Sequence, residues 1–222
     1  HAQPNCLSVS ATGLVDCGNW GVSATWNVPA NAVSGLYVAN FNRLDAPGEN
    51  QFPFVVRDEA SHSDIVVQTS DQTWEAYNTY GGNSLYVGTC GCSDNGRAYK
   101  VSYNRPYLNS GTQNFYNAEI PTIRWLERNG YDVSYLSSVD VSRNPALLRN
   151  HKTFVSNGHD EYWNAPQRTG VEQARAAGVN LAFLSGNEMY WKTRFEASVD
   201  GSNTAYRTLV CYKESQESPV VK

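Results

Sequence analysis

Two residues capable of acid–base chemistry lie two positions apart in one short segment of the chain. They are His159 and Glu161, in the run Gly158-His-Asp-Glu-Tyr-Trp163. In an extended segment, side chains two apart point to the same side of the backbone. An imidazole and a carboxylate aimed together can bind a metal ion, or can act as a base and the group that orients it. The alternative is a surface histidine beside loop acids, and the position in the fold must decide between the two.

A second segment of the same kind carries an amide side chain. Asn187 lies in the run Ser185-Gly-Asn-Glu-Met-Tyr-Trp191. Its amide could hold a carbonyl or a bound water, or it could cap the following helical turn. In both segments a glycine near the start allows a sharp turn, and the Tyr-Trp pair at the end could form the wall of a pocket.

A third segment offers phenol oxygens. The run Thr73-Trp-Glu-Ala-Tyr-Asn-Thr-Tyr-Gly-Gly82 contains Tyr77 and Tyr80, three positions apart. Ordinary aromatic packing would explain both residues. Alternatively, one of them ligates a metal as a phenolate. Phenolate and carboxylate oxygens are hard anionic donors, which favour trivalent iron over zinc or copper.

Alternating strand and helix patterns surround these segments. Strands are predicted over 64–69, 131–136, 153–156, 179–184 and 206–212, and helices over 118–129, 144–149 and 166–177. This rhythm is typical of a parallel sheet with crossover helices. The segments with His159 and Asn187 directly follow two successive strands. Reactive loops in such sheets follow the carboxyl ends of the strands, so we expect these two loops to face one crevice.

The first 60 residues have a different pattern. Short strands are predicted over Val22–Val28, Gly35–Phe41 and Phe52–Arg57, with turn signals between them. They are too few for a complete sandwich. We therefore predict an α/β fold in two parts: residues 1–60 as a partial β-rich segment, either the end of a β-sandwich or edge strands, and residues 61–222 as a parallel-sheet domain.

Composition and missing motifs exclude several classes of function. The 222 residues are 41% hydrophobic and carry a formal net charge of −4. The absence of a Lys/Arg run argues against nucleic-acid binding, and no apolar run approaches the roughly 18 residues of a membrane span. There is no G-x-S-x-G nucleophile turn, no H-E-x-x-H zinc motif and no P-loop.

The five cysteines favour an exported protein. A bridge between Cys6 and Cys17 would close a loop of about a dozen residues and would stabilise the fold by roughly 3 kcal/mol. Cys90 and Cys92 lie in a glycine-rich loop, and Cys211 is alone. Because five is odd, at least one thiol is free or has its partner outside this chain.

The N-terminal histidine suggests a separate possibility. His1 could bind copper through its amine and ring if the mature protein begins there and a second histidine lies nearby. The remaining candidates, His62, His151 and His159, have no clear partner motif.

Several runs together resemble one known family. They are Ser63-Asp-Ile-Val-Val-Gln-Thr-Ser70, Lys100-Val-Ser-Tyr-Asn-Arg-Pro106, Trp125-Leu-Glu-Arg-Asn-Gly-Tyr-Asp132, and the three segments described above with the following Gly-Gly-Asn-Ser-Leu-Tyr86. They resemble the C-terminal domain family of the large subunit of N,N-dimethylformamidase, over nearly the whole chain. The resemblance implies a glutamine-amidotransferase-like, three-layer α/β fold. It also implies sequence on both sides of this region, including a further acidic residue of the site beyond Lys222.

The resemblance also implies a metal site and its residues. A single ferric ion would be held by Tyr37, Tyr77 and Glu161, with Tyr80 as the alternative to Tyr77. His159 would act as an acid–base or supporting residue, and Asn187 would contact the substrate or a bound water.

The implied reaction is hydrolysis of a small amide to an acid and an amine. The iron would act as a Lewis acid on the amide carbonyl or would lower the pKa of a bound water. The alternative is a non-catalytic secreted module that binds a glycan or a peptide in its aromatic crevice. We expect a homo-oligomer or flanking domains as further partners.

Overall fold

The N-terminal part of the protein consists of two antiparallel hairpins. The computed structural model describes residues 2–93, 95–108 and 115–213, so His1 lies outside it. Strand β1 (Leu7–Val9) pairs with β2 (Leu14–Asp16), and β3 (Gly35–Asn42) pairs with β4 (Glu49–Val56). The strands predicted near residues 35–41 and 52–57 are therefore confirmed.

The strand predicted over residues 22–28 is wrong. The segment has no regular structure, and Val22 is 81% exposed. Alternation of apolar and polar residues favours a strand because one face can then be covered. Here Trp26 and Val28 are also more than half exposed, so the apolar side chains of this segment do not form a buried face.

The centre of the fold is a four-stranded parallel sheet. Its strands are β5 (Ile65–Gln68), β7 (Val133–Leu136), β8 (Thr153–Gly158) and β10 (Asn180–Ser185), in the spatial order β10-β8-β5-β7. The predicted parallel α/β sheet is confirmed.

Four α-helices accompany the strands within the described residues. They are α1 (Asp71–Tyr77), α2 (Ile120–Arg128), α3 (Ser138–Arg143) and α4 (Ala165–Ala176). A π-helical turn (Phe115–Glu119) precedes α2, and a 3₁₀-helix (Pro145–Asn150) follows α3. Asn164 caps α4 by accepting a hydrogen bond from the backbone N–H of Gln167, which satisfies one of the amides that the first turn leaves without an intrahelical partner.

Both faces of the parallel sheet are covered. On one face Val66 packs with residues of the 3₁₀-helix and α4, including Leu148 and Val171. On the other face Val67 packs with Ile123 of α2, and Leu36 of the β3–β4 hairpin joins this cluster. Successive strand residues point to opposite faces, which explains why Val66 and Val67 serve different cores. The hairpin thus packs on the sheet, and the division at residue 60 stays a prediction.

A second sheet lies beside the first and was not predicted. It contains β6 (Lys100–Ser102), β9 (Tyr162–Asn164), β11 (Trp191–Glu196) and β12 (Thr208–Val210), in the order β6-β12-β11-β9. The strand predicted over 206–212 belongs to this mixed sheet. Strands of three residues carry too little periodicity to be recognised in sequence.

The cysteines form two pairs in the described part of the chain. Cys6 and Cys17 form the predicted disulfide, with their Cα atoms 4.3 Å apart, and Cys90 is bridged to Cys92. Cys211 is a buried free thiol, and burial raises its pKa to about 12. None of the helices described here combines the length and the apolar character needed to cross a membrane.

Candidate active site

The first loop of the site begins at Gly158, a position that only glycine can occupy without strain. Gly158 ends β8 with a φ of +88°, a backbone region that side chains rarely adopt. A Cβ at this position would lie 2.4 Å from the Cγ of Glu119. The chain then turns tightly, because the backbone N–H of Glu161 donates to the carbonyl of His159 over 2.9 Å. The turn places both side chains at the carboxyl edge of the parallel sheet.

Glu161 is the centre of a hydrogen-bonded cluster. Glu161 is 4% exposed, and its Oε2 accepts a hydrogen bond of 2.7 Å from the hydroxyl of Tyr86. The Nε2 atom of His159 lies 3.1 Å from the same oxygen, and the indole N–H of Trp191 donates to Oε1 over 2.9 Å. Both carboxylate oxygens are therefore fixed in direction.

The two predicted loops meet, as their positions after successive strands indicate. The backbone N–H of Gly186 donates to the carbonyl of Gly158, and the N–H of Met189 donates to the carbonyl of Asp160. Asn187 has a φ of +50°, and its Nδ2 lies 3.4 Å from the Nε2 of His159. One imidazole nitrogen cannot donate to a carboxylate and also accept from an amide, so the shorter contact to Glu161 is the hydrogen bond.

Two phenol rings complete the cluster. Tyr77 stacks on Tyr86 with ring centroids 4.2 Å apart, and it meets the ring of His159 edge-on at 6.4 Å. Burial is the main cause that raises the pKa of Tyr77 and of Tyr86, and the negative charge of Glu161 raises both further. Both phenols are thus protonated beside the carboxylate, and losing a proton at neutral pH requires a cation next to the oxygen.

The other two tyrosines considered from the sequence lie elsewhere. Tyr37 stacks on Phe54 within the β3–β4 hairpin, packs against Trp26, and donates its hydroxyl to the carbonyl of Val33 over 3.0 Å. Among the residues that the structure describes, none of the contacts of Tyr37 reaches Glu161. The ring of Tyr80 packs edge-on against Trp20 at 6.2 Å. The structure therefore brings Tyr77, His159, Asn187 and Glu161 together, and it does not bring Tyr37 to them.

The residue between His159 and Glu161 is held by a buried polar network. Asp160 is fully buried and accepts hydrogen bonds from the Nε2 of Gln68 at 2.6 Å and the Oγ of Ser156 at 2.7 Å. The same Ser156 Oγ lies 2.9 Å from the carboxylate of Glu188. A hydroxyl has one proton to donate, so one of the two acids must itself be protonated. Burial, and then the charge of Glu188, raise the pKa of Asp160 well above its ordinary value, and burial also raises the pKa of Glu188.

Sequence reasoning missed three contributors to this site. Tyr86 and Trp191 were seen only as parts of motifs, and Asp160 only as a loop acid. Tyr77 and Tyr86 are nine residues apart with a Gly-Gly turn between them, so no helical or strand period links them. The indole of Trp191 faces Glu161 because β11 pairs in parallel with β9, with Trp191 opposite Tyr162. That second sheet gave no clear signal in the sequence.

Comparison with known proteins decides the family. A family model described as "N,N-dimethylformamidase beta subunit-like, C-terminal" matches residues 1–222. The chain belongs to this family. A curated relative, the N,N-dimethylformamidase beta subunit of Alcaligenes sp, is 31% identical over 75 residues. That match covers 33% of this chain and 10% of the relative's length. The predicted resemblance is confirmed for the family.

The donor set of the cluster suits a hard cation. Within residues 2–93, 95–108 and 115–213, no three His, Cys, Asp or Glu side chains gather as a metal-binding group. The cluster in this member of the dimethylformamidase-like family instead offers two phenols, one carboxylate and one imidazole. Oxygen donors of this kind fit trivalent iron better than zinc or copper. The residues present therefore fit the ion that the resemblance implies.

Proposed function

We propose that this chain carries the catalytic site of a metal-dependent hydrolase that cleaves small linear amides, as the name of its Alcaligenes relative suggests. The observation that supports this most strongly is the convergence of Tyr77, Tyr86 and His159 on the single buried carboxylate of Glu161. Hard ligands and an imidazole in one cluster can activate water and a carbonyl together. The glutamine-amidotransferase-like arrangement of the sheet and export from the cell belong to the same proposal.

The resemblance and the contacts in the structure give two assignments of the metal ligands. Tyr77 and Glu161 belong to both. The second phenol is Tyr37 by resemblance and Tyr86 by the contacts in the structure, and we favour Tyr86 because it already bonds to Glu161. A bound ferric ion would supply Lewis-acid chemistry to an amide carbonyl or to a water.

His159 is the proposed general base. Its side chain is 29% exposed, so a substrate can reach the ring, while Glu161 fixes its orientation from the buried side. The imidazole takes a proton from the attacking water as the new carbon–oxygen bond forms. It then returns that proton to the amide nitrogen as the carbon–nitrogen bond breaks, so that an acid and an amine leave. Asn187 is exposed beside the ring and holds the carbonyl oxygen or the water.

A non-catalytic binding module remains the second candidate. Tyr190 is 67% exposed and Met189 is 41% exposed on the loop that carries Asn187. Exposed aromatic and apolar side chains at the mouth of a crevice are also typical of surfaces that bind glycans or peptides.

The test is hydrolysis of N,N-dimethylformamide by iron-loaded protein, followed by proton NMR of formate and dimethylamine. His159→Gln should lower kcat by a hundredfold or more, because general acid–base groups contribute about 10²–10⁴-fold. His62→Gln is the matched control, since His62 is exposed and outside the cluster, and it should retain full activity. Equal rates of hydrolysis for the two variants would refute the role of His159 as the base, and no hydrolysis of any small amide would favour the binding module.

A further inference from the structure

A cavity separate from the Glu161 cluster lies beside helix α1, whose Asp71 and Trp74 line it. It has a volume of about 310 Å³ and lies between β4 and the carboxyl ends of β5 and β7. None of its lining residues belongs to the Glu161 cluster. We call it the arginine cavity, because Arg57, Arg143 and Arg207 line it. Ligand sites are commonly clefts of about 300 Å³ or more, so its size is sufficient for a small organic molecule.

Aromatic side chains form the walls of the arginine cavity. Phe52 and Phe54 stack in the hairpin with centroids 6.4 Å apart, and Phe52 packs against Tyr107 at 5.4 Å. Trp74 of α1 and Tyr206 also line the space. The lining also includes several charged and polar side chains. A site for an organic ligand combines apolar walls for its body with polar groups that orient it. The body of the ligand should therefore be flat and apolar.

Two of the three guanidinium groups are already neutralised. The Nη1 of Arg57 lies 3.3 Å from the carboxylate of Asp140, and its Nε lies 2.7 Å from Glu59. Arg143 also pairs with both acids, at 3.7 Å from Asp140. These four side chains form one balanced network at the rim. They add rigidity without adding net charge.

Arg207 is the third guanidinium group of the cavity, and no acidic side chain among the described residues pairs with it. Across the part of the chain that the structure describes, its guanidinium forms no ion pair and no side-chain hydrogen bond. The other acid that lines the cavity besides Asp140 is Asp71, which already accepts hydrogen bonds from Thr69, Tyr103 and the N–H of Ser138. Asp71 is also buried, and burial raises its pKa. The cavity therefore offers one free planar cation beside aromatic walls.

We propose that the arginine cavity binds a small organic carboxylate with a flat apolar body, and that Arg207 pairs with its carboxylate. A guanidinium matches a carboxylate through two parallel hydrogen bonds, and the aromatic walls cover the rest of the molecule. The site is separate from the proposed active site and does not depend on the amide hydrolase assignment.

The test is titration of the purified protein with benzoate, followed by calorimetry and by ligand-observed NMR. Benzoate should bind, and benzamide and inorganic phosphate should each bind at least about tenfold more weakly, a difference of about 1.4 kcal/mol. Arg207→Gln should weaken benzoate binding by a similar factor. Arg168→Gln is the matched control, because Arg168 is exposed on α4 and pairs with Glu172, and it should leave the affinity unchanged.

A third variant separates this proposal from the active site. Glu161→Gln should keep benzoate binding intact whether or not the protein hydrolyses amides. The proposal is overturned if benzoate does not bind, if Arg207→Gln binds it as tightly as the unmodified protein, or if Glu161→Gln abolishes binding. Equal affinity for phosphate would overturn it too, because the aromatic walls would then contribute nothing.

Discussion

Replacing Gly158 with alanine should be unusually destabilising for so small a change. A residue with a Cβ pays about 1–2 kcal/mol for the left-handed backbone at φ +88°. The new methyl would also lie 2.4 Å from the Cγ of Glu119. That side chain cannot move aside, because Ser70 and Trp74 hold its carboxyl group in the core. Overpacking of this kind costs about 1–3 kcal/mol, so the total loss should be about 2–5 kcal/mol.

Gly178→Ala is the matched control for this prediction. Gly178 has a similar φ of +96°, but a Cβ there would meet no atom within 4 Å. It should cost only the backbone penalty of about 1–2 kcal/mol. The difference between the two variants, measured by urea denaturation, therefore isolates the contact with Glu119. Equal shifts of the denaturation midpoint would refute the close packing of the Glu119 side chain against Gly158.

Three further predictions concern stability. Burial raises the pKa of Glu119 to about 8, above the value of about 4.3 in an unfolded chain. Between these two pKa values the native state holds a proton on Glu119 that the unfolded chain has lost. The free energy of unfolding should therefore fall as the pH rises from about 4.5 to 8. Glu119→Gln should flatten that slope in urea titrations at several pH values, and an unchanged slope would contradict the assignment. Reduction of the Cys6–Cys17 bridge should lower the free energy of unfolding by roughly 3 kcal/mol; a Cys6→Ser variant that loses nothing would show that the bridge is not formed. Trp191→Phe removes the donor to Glu161 Oε1 and should cost about 1–3 kcal/mol, whereas an unchanged thermal midpoint would show that water replaces the indole.

The parallel sheet could be predicted because its signals are local. Runs such as Ile65–Gln68 are apolar and bounded by turn residues, and helices such as Ala165–Ala176 begin with a proline near a capping asparagine. Because parallel strands present their carboxyl ends at one edge, the meeting of the loops with His159 and Asn187 could also be predicted.

The rest of the site depends on long-range pairing that the sequence does not display. Trp191 reaches Glu161 through the register of β11 on β9, and Tyr86 reaches it from a loop after a Gly-Gly turn. The ligand role of Tyr37 stays a prediction of the resemblance. A motif position suggested a ligand, but the hairpin packs its ring against Trp26 and Phe54.

The central claim is that Tyr77 and Glu161 form one metal site with a second phenol. The most direct test is metal analysis of the purified protein together with its visible absorption spectrum, for the unmodified chain and for Tyr37→Phe, Tyr77→Phe and Tyr86→Phe. We predict about one iron per chain and a broad tyrosinate-to-iron band that is lost in Tyr77→Phe, reduced in Tyr86→Phe and retained in Tyr37→Phe. A band lost in Tyr37→Phe would restore the ligand set implied by the resemblance. No iron and no band, even after anaerobic reconstitution, would contradict the account.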